Sequence, residues 1–136
     1  MTLYQEVQHF YARQMRWLDS GATREWAGSF TEDGVFRANA HPEPQIGRAA
    51  IETAAQKTSA QLAEQGVRRR HWLGMLEVEE RDDGSVLAQT YALIVNTPRG
   101  GVPEVLLSCT CDDVLVREEG RLLVRRRQVY RDDLPR

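Results

Sequence analysis

Few side chains in this chain are suited to moving protons, and His71 is the foremost of them. It lies in Arg68-Arg69-Arg70-His71-Trp72-Leu73-Gly74-Met75, where a helical pattern gives way to a strand reading from Trp72 to Arg81. An imidazole titrates close to neutrality, so it can take a proton and return it. Asp113 places a carboxylate on an apolar strand. A buried acid needs a partner, for which His71 or a last-strand arginine such as Arg126 would serve. Tyr11, on the apolar side of the first helix, offers a phenol that can donate to a substrate carbonyl. Each has a plainer alternative: a hydrogen-bonded structural histidine, a structural ion pair, and a core tyrosine satisfied by backbone.

The elements that must position these groups follow from periodicity. Leu3, Val7, Phe10, Tyr11, Met15 and Leu18 recur at helical steps and predict an amphipathic first helix, stopped by Asp19-Ser20-Gly21. A short second helix carries Trp26 and Phe30 one turn apart, as core or pocket wall. Glu32-Asp33-Gly34 reads as a turn with Asp33 shaping it, and Val35 to Ala38 as a short strand. His41-Pro42-Glu43-Pro44 is held extended by its prolines. A third helix opens at Gly47, buries Ile51, Ala54, Ala55, Thr58 and Leu62, and ends with Gly66 as its C-cap. Four strands follow: Trp72 to Arg81, Val86 to Asn96, Glu104 to Arg117 and Arg121 to Tyr130, with a hairpin turn at Asp82-Asp83-Gly84-Ser85. Arg131 to Arg136 reads as a frayed charged tail.

The order α-α-β-α-β-β-β-β predicts a single α+β domain over residues 1–136, with helices on one face of a largely antiparallel sheet. If His71 faces inward, strand alternation turns Leu73 and Met75 inward too. Thr90, Ala92, Ile94 and Asn96 then face inward from the next strand, and Cys109, Cys111 and Asp113 from the third. Small residues at Ala92 and Cys109 leave room for a ligand. Gln89, Tyr91 and Leu93 face outward. Runs such as Tyr91-Ala92-Leu93-Ile94-Val95 lack one-sided alternation, which predicts that a second copy of the chain covers the outer sheet face as a homodimer.

With 136 residues, 41% apolar and 28% charged, the chain has the composition of an ordinary globular domain. Eighteen basic against twenty acidic residues leave a net charge of −2, which does not favour a nucleic-acid partner. No apolar run approaches a membrane span, and Met1-Thr2-Leu3-Tyr4-Gln5-Glu6 lacks the layout of a secretory signal, so a cytoplasmic location is expected. Cys109 and Cys111 are neighbours on one strand face, poorly placed for a disulfide. No His/Cys/Asp/Glu cluster, phosphate-binding glycine loop or nucleophile elbow is present, so neither metal nor cofactor is expected.

The order of elements, together with Phe30-Thr31-Glu32-Asp33-Gly34-Val35-Phe36, Gly47-Arg48-Ala49-Ala50-Ile51, Arg70-His71 and Val116-Arg117-Glu118-Glu119-Gly120-Arg121, resembles the nuclear transport factor 2-like superfamily. More narrowly it resembles the SnoaL-like branch of polyketide cyclases and dehydratases, from about Leu3 to Asp132. The resemblance implies a cone: a curved mixed sheet wrapped round three helices, with an apolar pocket between them. It implies a cofactor-independent cyclase, dehydratase or isomerase acting next to a carbonyl on an aromatic or polycyclic polyketide-type small molecule. His71 would be the base, with Asp113 and Tyr11 as companion catalytic groups. Asn96, Trp26, Phe30, Met75, Cys109 and Cys111 would line the substrate site, and His41 would stand at its mouth on a stiffened loop.

The sharpest local likeness is to scytalone dehydratase, whose catalytic histidine begins a similar strand, here His71-Trp72-Leu73-Gly74. That enzyme's second histidine falls near Asn96, and its serine and asparagine donors near Cys109 and Cys111, so those companions are replaced. The region of the first helix that would carry its aspartate holds Arg16 and Asp19, and neither is assigned to that role. The superfamily also includes binding and assembly modules and small subunits of ring-hydroxylating oxygenases, so fold alone does not decide between enzyme and module. The chain is short for an oxygenase subunit.

Overall fold

A computed structural model describes residues 1–136. Helix α1 (Leu3–Asp19) begins with a capping box: the Thr2 hydroxyl accepts from the Gln5 amide while the Gln5 side chain accepts from the Thr2 amide. Its inward face buries Val7, Tyr11, Gln14 and Met15. Helix α2 (Thr23–Gly28) is short and ends before Phe30, which opens strand β1 (Phe30–Ala38). Glu32-Asp33-Gly34, expected as a turn, therefore lies within a strand, where an irregular register between Phe30 and Val35 absorbs it. The Trp26 and Phe30 rings still meet edge to face, 5.1 Å apart.

A two-residue strand β2 (Gln45–Ile46), unforeseen because it is so short, pairs with β1. Helix α3 (Arg48–Gln65) ends at Gly66 with φ +68°, the left-handed cap that glycine adopts without penalty. Strands β3 (Val67–Glu80), β4 (Val86–Pro98), β5 (Glu104–Glu118) and β6 (Arg121–Arg131) form the meander. The sheet order is β2-β1-β6-β5-β4-β3, with β1 parallel to β6 and the other pairs antiparallel. This is the expected mixed α+β architecture: three helices within an open, six-stranded sheet.

The core joins Val7, Tyr11, Met15, Trp26 and Phe30 to Ile51 of α3 and to Val86, Ala88, Leu115 and Val124 of the sheet. Beyond Ile51, only Ala55 of the predicted α3 stripe packs against the core, and Ala54, Ala55, Thr58 and Leu62 line an open cleft. The C-terminal segment is held, not frayed. Asn39 accepts from the Arg131 amide and donates to the Arg131 and Pro135 carbonyls, while Ser108 donates to Asp132.

Sheet parity holds along β4 and β5: Thr90, Cys109, Cys111 and Asp113 are buried, while Tyr91 and Leu93 are exposed. It fails at Met75. The pairing of β3 with β4 slips between Gly74 and Glu77, Met75 takes φ +53°, and its side chain is 74% exposed. A bulge adds a residue and reverses the alternation beyond it, so Leu76 turns toward the helices in place of Met75.

Candidate active site

His71 is held by Asp19, the last residue of α1. One Asp19 oxygen lies 2.6 Å from His71 Nδ1, and the other accepts the His71 backbone N–H at 3.0 Å. A carboxylate only accepts, so Nδ1 carries the proton and Nε2 of the neutral ring keeps its lone pair. Nε2 makes no hydrogen bond to the protein. The pair is sheltered yet reachable, with side chains 19% and 8% exposed.

This corrects the expected partnership with Asp113. Asp19, which the resemblance leaves beside Arg16 without a role, makes this contact, and an acid in the last turn of a helix gains from such a contact because it opposes the helix dipole.

Two clefts meet at the pair. One, of about 460 Å³, lies between α3 and the inner sheet face, walled by Trp26, Phe36, Ile51, Leu62 and Ile94 and bounded by His41 on its loop. The other, of about 800 Å³, runs between α1 and β3, past Tyr11, Trp17, Trp72 and Thr90. Asp19, Ser20 and His71 border both.

Asp113 belongs to a separate, closed network. Its oxygens accept from Arg127 Nε at 2.9 Å and Nη2 at 2.8 Å, and from the Tyr11 hydroxyl at 2.6 Å. Arg127 Nη2 also donates to Gln14, which donates in turn to Ser29. The partner is Arg127 and not Arg126, because Asp113 stands opposite Arg127 across the β5–β6 ladder. In a run of three arginines only that register, which the sequence leaves open, decides which one faces inward. Burial raises the Tyr11 phenol and Cys111 thiol well above their ordinary pKa values, and the Asp113 charge adds to both shifts. Burial lowers the Arg127 value, but the Asp113 charge and hydrogen bond, together with Cys111 and Tyr11, more than reverse this. The Tyr11 hydroxyl is spent on Asp113, so the expectation that it donates to a substrate is corrected.

The other expected lining residues divide. Trp26 borders the α3 cleft, whereas Phe30 is wholly buried in the core. Asn96 accepts a hydrogen bond from Arg69 at 2.9 Å. Cys109 and Cys111 are buried free thiols outside both clefts, and Cys111 contacts Asp113. Met75 lies on the outer face. No group of three His, Cys, Asp or Glu side chains is placed to hold a metal ion, and no helix is long and apolar enough to cross a membrane.

The chain matches the SnoaL-like domain over residues 1–128 and belongs to that family. Among solved structures it resembles ActVI-ORFA from Streptomyces coelicolor, at 34% identity over 98% of this chain and 100% of that one, with a TM-score of 0.89. Aln2 from a Streptomyces species is 37% identical over 96% of this chain and 91% of its own, also with a TM-score of 0.89. A Catenulispora acidiphila protein solved in complex with S-DNPA is 41% identical over 96% of this chain and 94% of its own, with a TM-score of 0.83. No curated protein shows significant sequence similarity to the chain.

Proposed function

We propose that this SnoaL-like chain is a cofactor-independent enzyme that moves a proton on a carbon next to a carbonyl of an aromatic polyketide-type intermediate, leading to cyclisation, dehydration or isomerisation. The observation that carries the reading is the Asp19–His71 pair, which fixes the tautomer and presents Nε2 as a base at the junction of two clefts. The substrate would lie in the α3 cleft, against Trp26, Phe36 and Ile94. His71 would take the proton, and the Asp19 carboxylate would stabilise the imidazolium that forms. Such a base contributes roughly two to four orders of magnitude in rate. The relative that binds S-DNPA supports a small-molecule ligand in this fold.

Exchange at the carbon acid tests this without the natural substrate. In deuterated buffer, the protein should speed deuterium uptake at C1 of 2-tetralone, followed by NMR. The competing reading, a binding module of the same fold, is favoured by the commitment of Asn96 and Cys111 to Arg69 and Asp113. It predicts no acceleration over buffer.

The outer sheet face exposes Trp72, Met75, Tyr91, Leu93, Val105 and Leu106, more apolar side chains than a monomer's surface usually gathers on one face. We assign this face to a homodimer contact. Light scattering at micromolar concentration should give twice the chain mass, and a monomer would refute it.

A further inference from the structure

Arg69 is half-buried and precedes His71 by two residues on β3, so both side chains leave the strand on the same face and border the α3 cleft. Its Nε donates to the Asn96 side chain across the β3–β4 ladder, at 2.9 Å. Its two Nη groups make no hydrogen bond, and none of the ion pairs in the structure includes it. The nearby acid is Asp19, and both Asp19 oxygens are already taken by His71. Burial lowers the pKa of Arg69 and the Asp19 charge raises it, which places the guanidinium in a partly desolvated site. Arginine nonetheless stays charged.

A fixed, partly dehydrated guanidinium whose Nη groups bond no protein atom, in a cleft it shares with Trp26, Phe36, Ile94 and the His71-bound Asp19, is placed to bind an anion. We propose that Arg69 is the carboxylate-binding group of the substrate site, so that the ligand is an aromatic acid. Its carboxylate sits on the open Nη groups, with Asn96 holding the guanidinium plane. Positions two apart on a strand are separated by about 7 Å. The acidic carbon therefore lies a few bonds from the carboxylate, within reach of His71 Nε2. This inference rests on the proposed location of the substrate in the α3 cleft, but not on whether the protein turns it over.

The test compares 2-naphthylacetate with its neutral analogue 2-naphthylacetamide, titrated by ligand-observed NMR. Wild type should bind the carboxylate about tenfold tighter or more, the scale of a charge-assisted hydrogen-bonded pair. Arg69→Gln should bring the carboxylate down to the level of the amide and leave amide binding unchanged. Asn96→Ala keeps the charge but frees its orientation, and should reduce the preference without abolishing it. Arg68→Gln, which removes an exposed charge at the same rim, should retain it. His71→Asn, whose amide can still donate to Asp19, should also keep the preference, which separates ligand recognition from the proton-transfer reading. Equal binding of the two probes, or no binding of either, by wild type overturns the proposal. So does a preference that survives Arg69→Gln. If Arg69→Gln does not fold, the wild-type comparison and the Asn96→Ala series decide.

Discussion

Two acids sit at the two ends of this molecule's polar interior, and each is tied to a basic side chain. Asp113 is wholly buried, Arg127 is 3% exposed, and both Asp113 oxygens are saturated by Arg127 and Tyr11. Asp19 is nearly buried as well, but its partner His71 keeps one nitrogen unbonded where two clefts open. The difference lies in what each arrangement leaves unsatisfied. Asp113–Arg127 has no capacity left for chemistry, whereas the Asp19–His71 pair has one lone pair to spare. The closed network nonetheless serves the open pair. Tyr11 and Gln14 fasten α1 to β5, β6 and the Ser29 cap of α2, and Asp19 stands eight residues beyond Tyr11 on that helix, about 12 Å along its axis.

That contrast can be broken from either side. The largest effect is expected at the closed end. Asp113→Asn leaves the buried Arg127 charge without its counter-ion, and should cost about 3–5 kcal/mol in urea unfolding. Asp19→Asn acts on the other end, because an amide can donate to Nδ1 and favour the tautomer that protonates Nε2. Exchange at the ketone probe should fall on the order of a hundredfold while the unfolding midpoint changes little. Tyr11→Phe should cost about 1.5–3 kcal/mol of stability, since it removes a hydrogen bond to a charged acceptor, and leave the exchange rate of the folded protein near wild type. A comparable loss of rate would place Tyr11 back among the catalytic groups.

The smallest effect is in pH dependence. Burial first, and the Asp113 charge second, hold the Cys111 thiol well above its ordinary value of 9.0. The unfolded thiol ionises near that pH while the folded one stays protonated. The stability it contributes is therefore full below about pH 9 and is lost as pH rises further. Cys111→Ala should flatten this alkaline decline in urea midpoints, and Tyr11, shifted in the same direction, accounts for part of the remainder.

Much of this architecture was legible because it is repetitive. Helical spacing gave α1, alternation gave the inward faces of β4 and β5, and turn residues gave the hairpins. What escaped depended on single irregularities or on register. One added residue after Gly74 turned Met75 outward. The choice between Arg126 and Arg127 required knowing which residue stands opposite Asp113. The partner of His71 came from a residue 52 positions away, brought to it by the packing of α1 on β3. Strand parity could place an acid on the inner face, but not tell whether that acid was already enclosed.

The most direct test of the central claim is the rate of deuterium uptake at C1 of 2-tetralone with His71→Ala in place of wild type. If His71 is the base, the rate should fall by at least about a hundredfold in a variant that still unfolds cooperatively in urea. A variant that folds normally and exchanges the probe as fast as wild type would contradict it.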